Sequence, residues 1–331
     1  MSILIIDTSY LIYKAYFAYP KLSYQEQPTG AIYGFIKTVF KLVTKWQPTI
    51  LVFACDLPEE TWRHKLFSEY KADRPDIEDN MLKQIPTILD WCQKVTPNYL
   101  AVPGFEADDL IWTIVKDFYH KSTTSPANDN WAPETAQTTL IYSADRDLYQ
   151  LFIFPQAKFI HSRTGQTNDV LFTIEDFRHQ YQIQPQQWLD YKALVGDPSD
   201  NLPGIPGIGP KTAIRILQQI DHLYHLLDFL QISHQLNPIG EDSNPQILEK
   251  VAKFVKEPKN QLLVNKIVTH QKLLEQTYLL AKLQEVPKVK LLPVAFDLNL
   301  GKAILEKYNC QSLLTNIANQ KLTNLQQSSL F

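Results

Sequence analysis

Four short apolar runs in the first two hundred residues alternate with segments of helical periodicity, and an acidic residue follows each run. The runs are Ile3–Ile6, Ile50–Ala54, Tyr99–Val102 and Thr139–Tyr142. Short runs separated by helices predict parallel β-strands joined by crossover connections. In such sheets, functional sites form at the carboxyl ends of the strands. We therefore expect an α/β fold, with a parallel twisted sheet flanked by helices and a site at one edge of that sheet.

Nine acidic residues lie at or shortly after strand ends, or in a later turn. They are Asp7, Asp56, Glu106, Asp108, Asp109, Asp145, Asp147, Asp197 and Asp200. Helix capping explains any one of them taken alone, but nine carboxylates gathered at one edge would repel each other unless cations neutralised them. Oxygen ligands without His or Cys select Mg²⁺ or Mn²⁺. Two such ions about 4 Å apart activate a water and stabilise a leaving oxygen, so the set predicts metal-dependent phosphodiester hydrolysis.

A glycine-rich turn precedes a helix predicted from about Pro210. It contains Gly204, Gly207 and Gly209, three of only 10 glycines in the chain. Backbone N–H groups in such a turn can approach a phosphate, a helix N-terminus favours an anion, and Lys211 adds positive charge. A plain connection between two helices is the alternative. The repeated spacing favours a helix-hairpin-helix element at about 196–220, which grips a duplex backbone without reading sequence.

The segment from Trp62 to Pro75 mixes aromatic and basic side chains. Its candidates for nucleic-acid contact are Arg63, Phe67, Tyr70, Lys71 and Arg74. Aromatic rings stack on bases and cations hold phosphates, so this mixture suits a single strand. Tyr70 and Arg74 are four residues apart and would share one face of a helix. A solvated amphipathic helix is the alternative.

The overall charge argues both for and against a nucleic-acid partner. The chain has 32 Lys+Arg against 35 Asp+Glu, a net charge of −3. Setting aside the nine candidate ligands leaves 26 acidic residues and a balance of +6, which permits DNA binding. No apolar run approaches the roughly 18 residues of a membrane span, and the first seven residues do not resemble a signal peptide. We expect no membrane partner and a cytoplasmic location.

The remaining features are less informative. Cys55, Cys92 and Cys310 form neither a disulfide framework nor a zinc-binding pattern, and we expect them to be buried thiols. Residues 121–138 lack periodicity and predict a surface loop. Beyond about residue 220 the chain is helical in pattern and rich in Gln and Leu, without a strong motif.

Asp7 after an apolar strand, Glu106-Ala-Asp108-Asp109, Asp145-Arg-Asp147 and the stretch from Gly196 to Gly209 together resemble the 5′–3′ exonuclease domain of bacterial DNA polymerase I, in the flap endonuclease family. The resemblance covers about residues 1–220 and implies a PIN-like fold. It implies an N-terminal domain at 1–175 with a helical arch at about 57–95. A helical domain at 176–320 and a flexible tail at 321–331 would follow. A polymerase would not fit in the remaining length, so the chain resembles a free-standing 5′-nuclease.

The resemblance also implies an activity, which is cleavage of 5′ flaps, nicked or gapped duplexes and RNA-primer ends in replication and repair. It assigns Lys71 and Arg74 to the scissile phosphate and Tyr70 to stacking on a flipped nucleotide, and Lys14 stands where the family usually has an arginine. It places Asp7, Asp56, Glu106 and Asp108 near one ion, and Asp147, Asp197 and Asp200 near the other. Asp109 and Asp145 would act through water. A monovalent cation such as K⁺ is expected at the helix-hairpin-helix.

The last five residues resemble the short motif by which bacterial replication proteins dock on the sliding clamp. Gln327, Leu330 and Phe331 fit that motif, and Ser328 replaces a leucine. A frayed terminus is the alternative. We expect a monomer associated with the nucleoid. Two other functions stay open at this point, a branched-DNA-binding protein of the same fold that does not cut and a PIN-type ribonuclease.

Overall fold

The computed structural model describes residues 2–124, 137–162, 169–232, 236 and 245–315. Within them, the strands are β1 (Ser2–Asp7), β2 (Ser23–Tyr24), β3 (Gln27–Pro28), β4 (Ile50–Ala54), β5 (Tyr99–Leu100), β6 (Thr138–Tyr142), β7 (Ala157–Ser162), β8 (Asp169–Phe172), β9 (Gly196–Asp197) and β10 (Leu202–Pro203). Six of them form one sheet in the order β5-β4-β1-β6-β7-β8. Its neighbours are parallel except for the antiparallel pair β7–β8.

The helices complete the α/β architecture. They are α1 (Thr8–Ala18), α2 (Gly30–Trp46), α3 (Trp62–Leu66), α4 (Asp79–Leu82), α5 (Ile85–Val95), α6 (Ala107–Thr124), α7 (Ile174–Tyr181), α8 (Trp188–Val195), α9 (Pro210–Ile220), α10 (Leu223–Phe229), α11 (Pro245–Lys256), α12 (Gln261–Thr269), α13 (Gln271–Ala281) and α14 (Lys302–Lys307). The predicted parallel sheet flanked by helices is confirmed. None of the described helices combines the length and the apolar character that crossing a bilayer requires.

Both faces of the sheet are covered, which explains why its strands read as continuous apolar runs. On β1, Ile3 and Ile5 face a core shared with α6 and the helical C-terminal part. Leu4 and Ile6 face a second core shared with α1, α2 and α5. All four side chains are fully buried. The sheet is therefore a rigid central layer whose carboxyl edge is left to hold a site.

A segment after α13 returns the chain to the N-terminal part. The backbone N–H groups of Gln284 and Val286 donate to Asp109 Oδ1 and Thr113 Oγ1 on α6, each at 2.8 Å. Farther along, the N–H of Asp297 donates to the carbonyl of Val95 at 2.9 Å. Leu305 then packs into the core formed with α2 and α5. Residues 284–305, for which the sequence offered no role, thus fasten the C-terminal part to the N-terminal part.

Two sequence-based expectations differ from the structure. The segment expected as a loop at 121–138 begins as the last turn of α6 and ends on Thr138, the first residue of β6, while residues 125–136 lie outside the described part. The range 57–95 expected as an arch includes α5, which is a core helix. Ile88, Trp91, Cys92 and Val95 bury one face of α5 because they recur at helical spacing. Only the earlier part of that range, before α5, lies beside the site.

Candidate active site

Two of the predicted acidic residues organise the carboxyl edge by capping helices. Asp7 ends β1, and its Oδ1 accepts the N–H of Tyr10 at 3.0 Å at the start of α1. Its Oδ2 accepts the hydroxyl of Ser143 at 2.8 Å, just past β6. Asp56 follows β4, and its Oδ1 accepts the N–H of Ala107 at 2.8 Å, at the start of α6. These bonds draw the ends of three strands and the first turns of two helices together.

A cavity of about 760 Å³ opens at this edge. Its wall contains six of the nine predicted carboxylates together with four basic side chains. They are Asp7, Asp56, Glu106, Asp108, Asp145 and Asp197, with Lys71, Arg74, Arg146 and Lys192. Asp147 and Asp200 are buried and paired to basic residues of that wall. Eight of the nine acidic residues are thus brought together, as the pattern of strand ends predicted.

The carboxylates of this cavity hold more negative charge than the protein's own cations neutralise. Burial, followed by the charge of Asp56, raises the pKa of Asp7 to about 7. Burial, opposed by Lys192 and reinforced by Asp145, raises the pKa of Asp147 to about 7. Burial and the charges of Asp145 and Asp7 raise the pKa of Asp108 well above its ordinary value. A cluster with this deficit attracts cations.

Asp109 is the ninth acidic residue, and it is not part of the cavity wall. It is fully buried, and its two oxygens accept Arg63 Nη2 at 2.9 Å and Arg63 Nη1 at 2.8 Å. Trp62 Nε1 and the N–H of Gln284 donate to the same carboxylate. Because its acceptor sites are occupied by protein donors, Asp109 contacts Arg63 rather than the cavity, and the expectation that it acts on a metal through water stays a prediction. Its geometry is that of a buried structural pair.

Arg63 is likewise buried, whereas a residue that contacts DNA would be exposed. It is 2% exposed, and besides Asp109 its guanidinium donates to Glu106 and to the carbonyl of Leu280. Phe67 is partly buried against the core. Arg63 on α3 and Phe67 just after it therefore attach this segment to the rest of the domain. Arg63 and Phe67 belong to the mixture of aromatic and basic residues expected to contact DNA, but in this arrangement both side chains pack inside the protein.

Lys71 and Arg74 line the acidic cavity, and the buried Tyr70 contacts two of its carboxylates, although none of the three does so from a helix. Helix α3 ends at Leu66, the segment continues in turns, and Lys71 has a left-handed backbone with φ of 56°. The Tyr70 hydroxyl donates to Glu106 and Asp200, and Arg74 Nη2 donates to Asp200 Oδ1 at 2.6 Å. Lys71 Nζ lies 2.9 Å from Glu106 Oε1. The predicted shared helix face is wrong, since a turn docked on Asp200 brings these groups together instead.

Lys192 is a residue of this site that the sequence did not reveal. It lies on α8, and its ammonium pairs with both Asp147 and Asp197. Its side chain is only 8% exposed, and these two partners outweigh burial and raise its pKa. The one available signal was a lysine within an otherwise mostly apolar helix. Lys192 makes the Asp147–Asp197 side of the cavity partly self-neutralised.

The glycine-rich turn lies between α8 and α9, as expected for a helix-hairpin-helix. A Cβ on Gly204 would lie 2.2 Å from the backbone of Val195, so only glycine allows this close approach. Asp197 and Asp200 are on the same connection, and Pro210 at the start of α9 lines the cavity. Lys211 is exposed beside it. The turn expected to hold a phosphate is therefore covalently continuous with two of the site's carboxylates.

A basic side chain already occupies part of the hairpin. Lys266 Nζ donates to the carbonyl of Pro206 at 3.1 Å and lies against Gly207, where the backbone has a φ of 75°. Gly209 is the N-cap of α9 and has open space around it. The carbonyl of Pro206 in this turn is thus engaged by an ammonium group.

Lys14 is a predicted DNA-binding residue that does not line the cavity. Lys14 is half-buried on α1, where its ammonium donates to the Tyr142 hydroxyl at 2.8 Å and lies 5.0 Å from the centre of that ring. Burial lowers its pKa. Gln327, Leu330 and Phe331 lie outside the described residues. The three cysteines are buried and free, as predicted.

The donor set fits a divalent cation by its chemistry, although the side chains are not arranged around one. Across the described ranges, no three acidic, cysteine or histidine side chains surround a single point closely enough to hold an ion. Glu106, Asp147, Asp197 and Asp200 are instead each paired with Lys71, Arg74 or Lys192. In this arrangement the protein's own cations partly neutralise the cluster. The raised pKa values of Asp7, Asp108 and Asp147 reflect the negative charge that remains.

The chain is similar to known nucleases along almost all of its described length. Residues 2–182 match the 5′-3′ exonuclease N-terminal resolvase-like domain, and residues 183–299 match the 5′-3′ exonuclease C-terminal SAM fold. A 5′-3′ exonuclease of Aquifex aeolicus is 34% identical over 274 residues, covering 78% of this chain and 88% of the relative. DNA polymerase I of Bacillus subtilis is 32% identical over 265 residues, covering 80% of this chain and 27% of the polymerase.

Solved structures share the fold. A bacteriophage T5 flap endonuclease in a complex with DNA and metal ions matches with a TM-score of 0.61 and 18% identity, covering 92% of this chain and 98% of that one. The catalytic core of Rad2 with a DNA substrate matches with a TM-score of 0.51 and 15% identity, covering 92% and 87%. The fold and the sequence matches agree with the acidic edge described above. This chain belongs to the 5′-3′ exonuclease family, which is a family of nucleases.

Proposed function

We propose that this protein is a metal-dependent, structure-specific 5′-nuclease. It hydrolyses phosphodiesters at 5′ flaps, nicks, gaps and RNA–DNA primer ends, both as a 5′–3′ exonuclease and as a flap endonuclease. The observation that carries the proposal is a single cavity in which six carboxylates face Lys71 and Arg74. Carboxylates in that number suit divalent cations, while the basic pair suits the phosphate that a water activated by those cations would attack.

The cations are two Mg²⁺ or Mn²⁺ ions, since every side-chain donor in the cluster is an oxygen. Asp7, Asp56, Glu106 and Asp108 would hold one, with Asp147, Asp197 and Asp200 around the other and Asp145 acting through water. Such ions supply a water activated for attack and stabilise the departing oxygen. The protein provides the fixed positions of these oxygens, because Asp7 and Asp56 are held by backbone N–H groups of α1 and α6.

Lys71 and Arg74 have a second role once a substrate enters. Their present partners are Glu106 and Asp200, two of the proposed ligands. Cations that bind those carboxylates would compete with the basic side chains, which would then be available to the scissile phosphate. Tyr70, whose hydroxyl is bonded to the same two carboxylates, would be released in the same step to stack on a nucleotide. Charge neutralisation and substrate contact are thereby linked through the same atoms.

The helix-hairpin-helix supplies the grip on duplex DNA. Gly204 and Gly207 shape the tight turn by their contacts with Val195 and Lys266, Gly209 has the open space in which a phosphate can approach the backbone, and Lys211 adds an exposed charge beside the cavity. Lys14, half-buried on α1 beside Tyr142, is kept as a further basic contact for DNA. A K⁺ ion at the hairpin would share carbonyls with the Lys266 ammonium. The protein would act as a monomer on chromosomal DNA in the bacterial cytoplasm.

The C-terminal motif proposes a partner, the sliding clamp. Deleting Gln327–Phe331 is expected to abolish clamp binding in a pull-down with purified clamp while flap cleavage on naked DNA continues unchanged. Clamp binding that survives the deletion would refute this part of the proposal.

The decisive assay is cleavage of a labelled 5′-flap duplex with Mg²⁺, with Mn²⁺ and with EDTA. Cleavage with either metal and none with EDTA is expected. A single-stranded RNA of the same length serves as the comparison substrate. Flap binding without cleavage would favour a non-cutting branched-DNA-binding protein, and faster cleavage of the RNA would favour a PIN-type ribonuclease.

A further inference from the structure

A second groove adjoins the acidic cavity on the side away from α3. It has a volume of about 530 Å³ and shares Tyr10, Ala144 and Arg146 with the first cavity. Its remaining wall comes from the turn after β6, from β7 and β8, and from α7. The two spaces therefore adjoin at these residues, and a chain molecule that passes Arg146 reaches from one into the other.

Arg146 stands at the junction of the two spaces and has a rigid backbone. Its carbonyl accepts Trp188 Nε1 at 2.8 Å, and the neighbouring Asp147 donates its N–H to Asp145 at 2.8 Å. Its side chain is exposed, and within the described residues no hydrogen bond or ion pair engages its guanidinium. This contrasts with Arg63, Arg74, Lys71 and Lys192, all of which are paired to carboxylates. A positioned, unengaged guanidinium beside a phosphodiester site is a phosphate receptor.

The groove also offers flat aromatic surface. The rings of His161 and Phe172 are 4.8 Å apart with an interplanar angle of 16°, and Tyr149 lies 5.2 Å from Phe172 at 28°. His161 and Phe172 are half-buried, so part of each ring faces the groove. Burial and the neighbouring charge of Arg146 lower the pKa of His161. A neutral imidazole stacked on a phenyl ring is a platform for a base.

The acidic residue in the groove does not make it a cation site. Among the described residues of this wall Asp176 is the only carboxylate, and its Oδ2 accepts the N–H and the hydroxyl of Thr173, each at 2.9 Å. That carboxylate is used to cap α7. One guanidinium, one engaged carboxylate and a ring pair match a phosphate ester joined to an aromatic base.

We propose that this groove, lined by Arg146, His161 and Phe172, is a nucleotide subsite of the nuclease, one that holds a nucleotide of the cleaved strand next to the scissile linkage. Arg146 binds that nucleotide's phosphate, and the His161–Phe172 pair stacks on its base. The inference rests on the proposed function and adds a strand path along the β6–β8 side of the edge. Such contacts are independent of sequence, as a structure-specific nuclease requires.

The test is a scan of the substrate with neutral linkages. A 5′-flap DNA carries one methylphosphonate at each position of the cleaved strand in turn, and binding is measured by fluorescence anisotropy with Ca²⁺ in place of Mg²⁺. In the wild type, one linkage outside the scissile position is expected to weaken binding about tenfold when neutral. Arg146→Gln should bind the unmodified DNA about tenfold more weakly and be insensitive to that linkage. The slope of log affinity against log salt should fall by about one.

Arg178→Gln is the matched control. Arg178 is exposed on α7 outside both cavity walls, where it donates to Gln184 at 3.2 Å. It should reproduce the wild-type scan. If Arg146→Gln keeps the full wild-type pattern, or if the wild type shows no sensitive linkage outside the scissile one, the subsite is refuted.

Stacking is measured separately by placing an abasic residue beside the sensitive linkage. The wild type should lose about fivefold in affinity and His161→Ala should lose none, because the stacking surface is already absent. An undiminished abasic penalty in His161→Ala would overturn the stacking role. Cleavage of unmodified flap DNA with Mg²⁺ is recorded for every variant. Absence of wild-type cleavage would contradict the proposed function, whereas cleavage without the linkage-specific coupling would contradict only the subsite.

Discussion

Asp108 and Asp109 are adjacent on the first turn of α6, yet their surroundings are opposite, since Asp109 is fully buried and Asp108 is partly exposed. Asp109 accepts two bonds from Arg63 and further bonds from Trp62 and the N–H of Gln284. Asp108 lines the acidic cavity, where burial and the charges of Asp145 and Asp7 raise its pKa. Asp109 is neutralised by the protein's own Arg63, whereas Asp108 remains available to a cation from solution.

The difference teaches how to separate structural from functional acids in one cluster. A buried carboxylate with a bidentate guanidinium partner stabilises the fold only as long as both partners remain. A carboxylate held among like charges destabilises the metal-free protein, and the binding of a cation offsets that destabilisation. Mutations at these neighbouring positions should therefore separate activity from stability.

The largest expected effect is on catalysis, at Asp108. Asp108→Asn should reduce single-turnover cleavage of a 5′-flap duplex about 1000-fold or more, because it removes an oxygen ligand and a charge from the site. The metal-free variant should unfold at the same temperature as the wild type or higher, since a repelled charge is gone. Asp90→Asn, an exposed acid paired only with Lys94 on α5, is the control and should cleave normally. Normal cleavage by Asp108→Asn would end the functional assignment.

At the neighbouring Asp109 the main effect is expected on stability. Asp109→Asn should destabilise the protein by about 4 kcal/mol in a denaturant titration, because it strands the buried guanidinium of Arg63. The double variant Arg63→Leu with Asp109→Leu should recover much of that loss, since neither charge is left alone in the interior. Equal stability of the single variant and the wild type would show that the pair does not hold α3 to α6.

An intermediate case is Lys192, which neutralises part of the site from within. Lys192→Met should lower the unfolding free energy of the metal-free protein by about 3 kcal/mol, because Asp147 and Asp197 lose their common cation. Mg²⁺ should raise the melting temperature of the variant more than that of the wild type, since the ion no longer competes with an ammonium. An equal Mg²⁺ shift in both proteins would contradict this competition.

These contrasts also mark what the sequence could predict. Asp7, Asp56 and Asp145 were identifiable because each follows a strand, and parallel strands end at one edge by geometry. The partners of Asp109 and Asp147 were not, since Arg63 and Lys192 are 46 and 45 positions away along the chain. Local pattern carries no information about such pairs until the fold brings them together.

The segment around Lys71 shows a different limit. Its spacing favoured a helix, but the N–H of Lys71 donates to the carbonyl of Asp200 at 3.1 Å and Asn201 donates to the carbonyl of Glu69 at 2.9 Å. These long-range bonds fix a turn with a left-handed residue, against the local propensity. Tertiary contacts decided the backbone here, and the same contacts bring Tyr70 and Arg74 to the acidic cavity.

The smallest expected effect comes from a buried carboxylate whose partner can be switched off by pH. Asp190 on α8 pairs with His222 Nδ1 at 2.6 Å. Burial opposes the charged imidazole, but the hydrogen bond and the charge of Asp190, with a contribution from Asp221, raise the pKa of His222 above its ordinary value. The neighbouring His225 lies 6.1 Å away and has a pKa lowered by burial and by His222.

The stabilisation from His222 is therefore complete below about pH 6.5 and disappears as pH rises through its folded-state pKa. His222→Gln should be about 1 kcal/mol less stable than the wild type at pH 6, and the two should converge by about pH 8.5 in urea titrations. A stability difference that stays constant across this range would mean that the pair is neutral, and that Asp190 behaves as the cavity acids do rather than as Asp109 does.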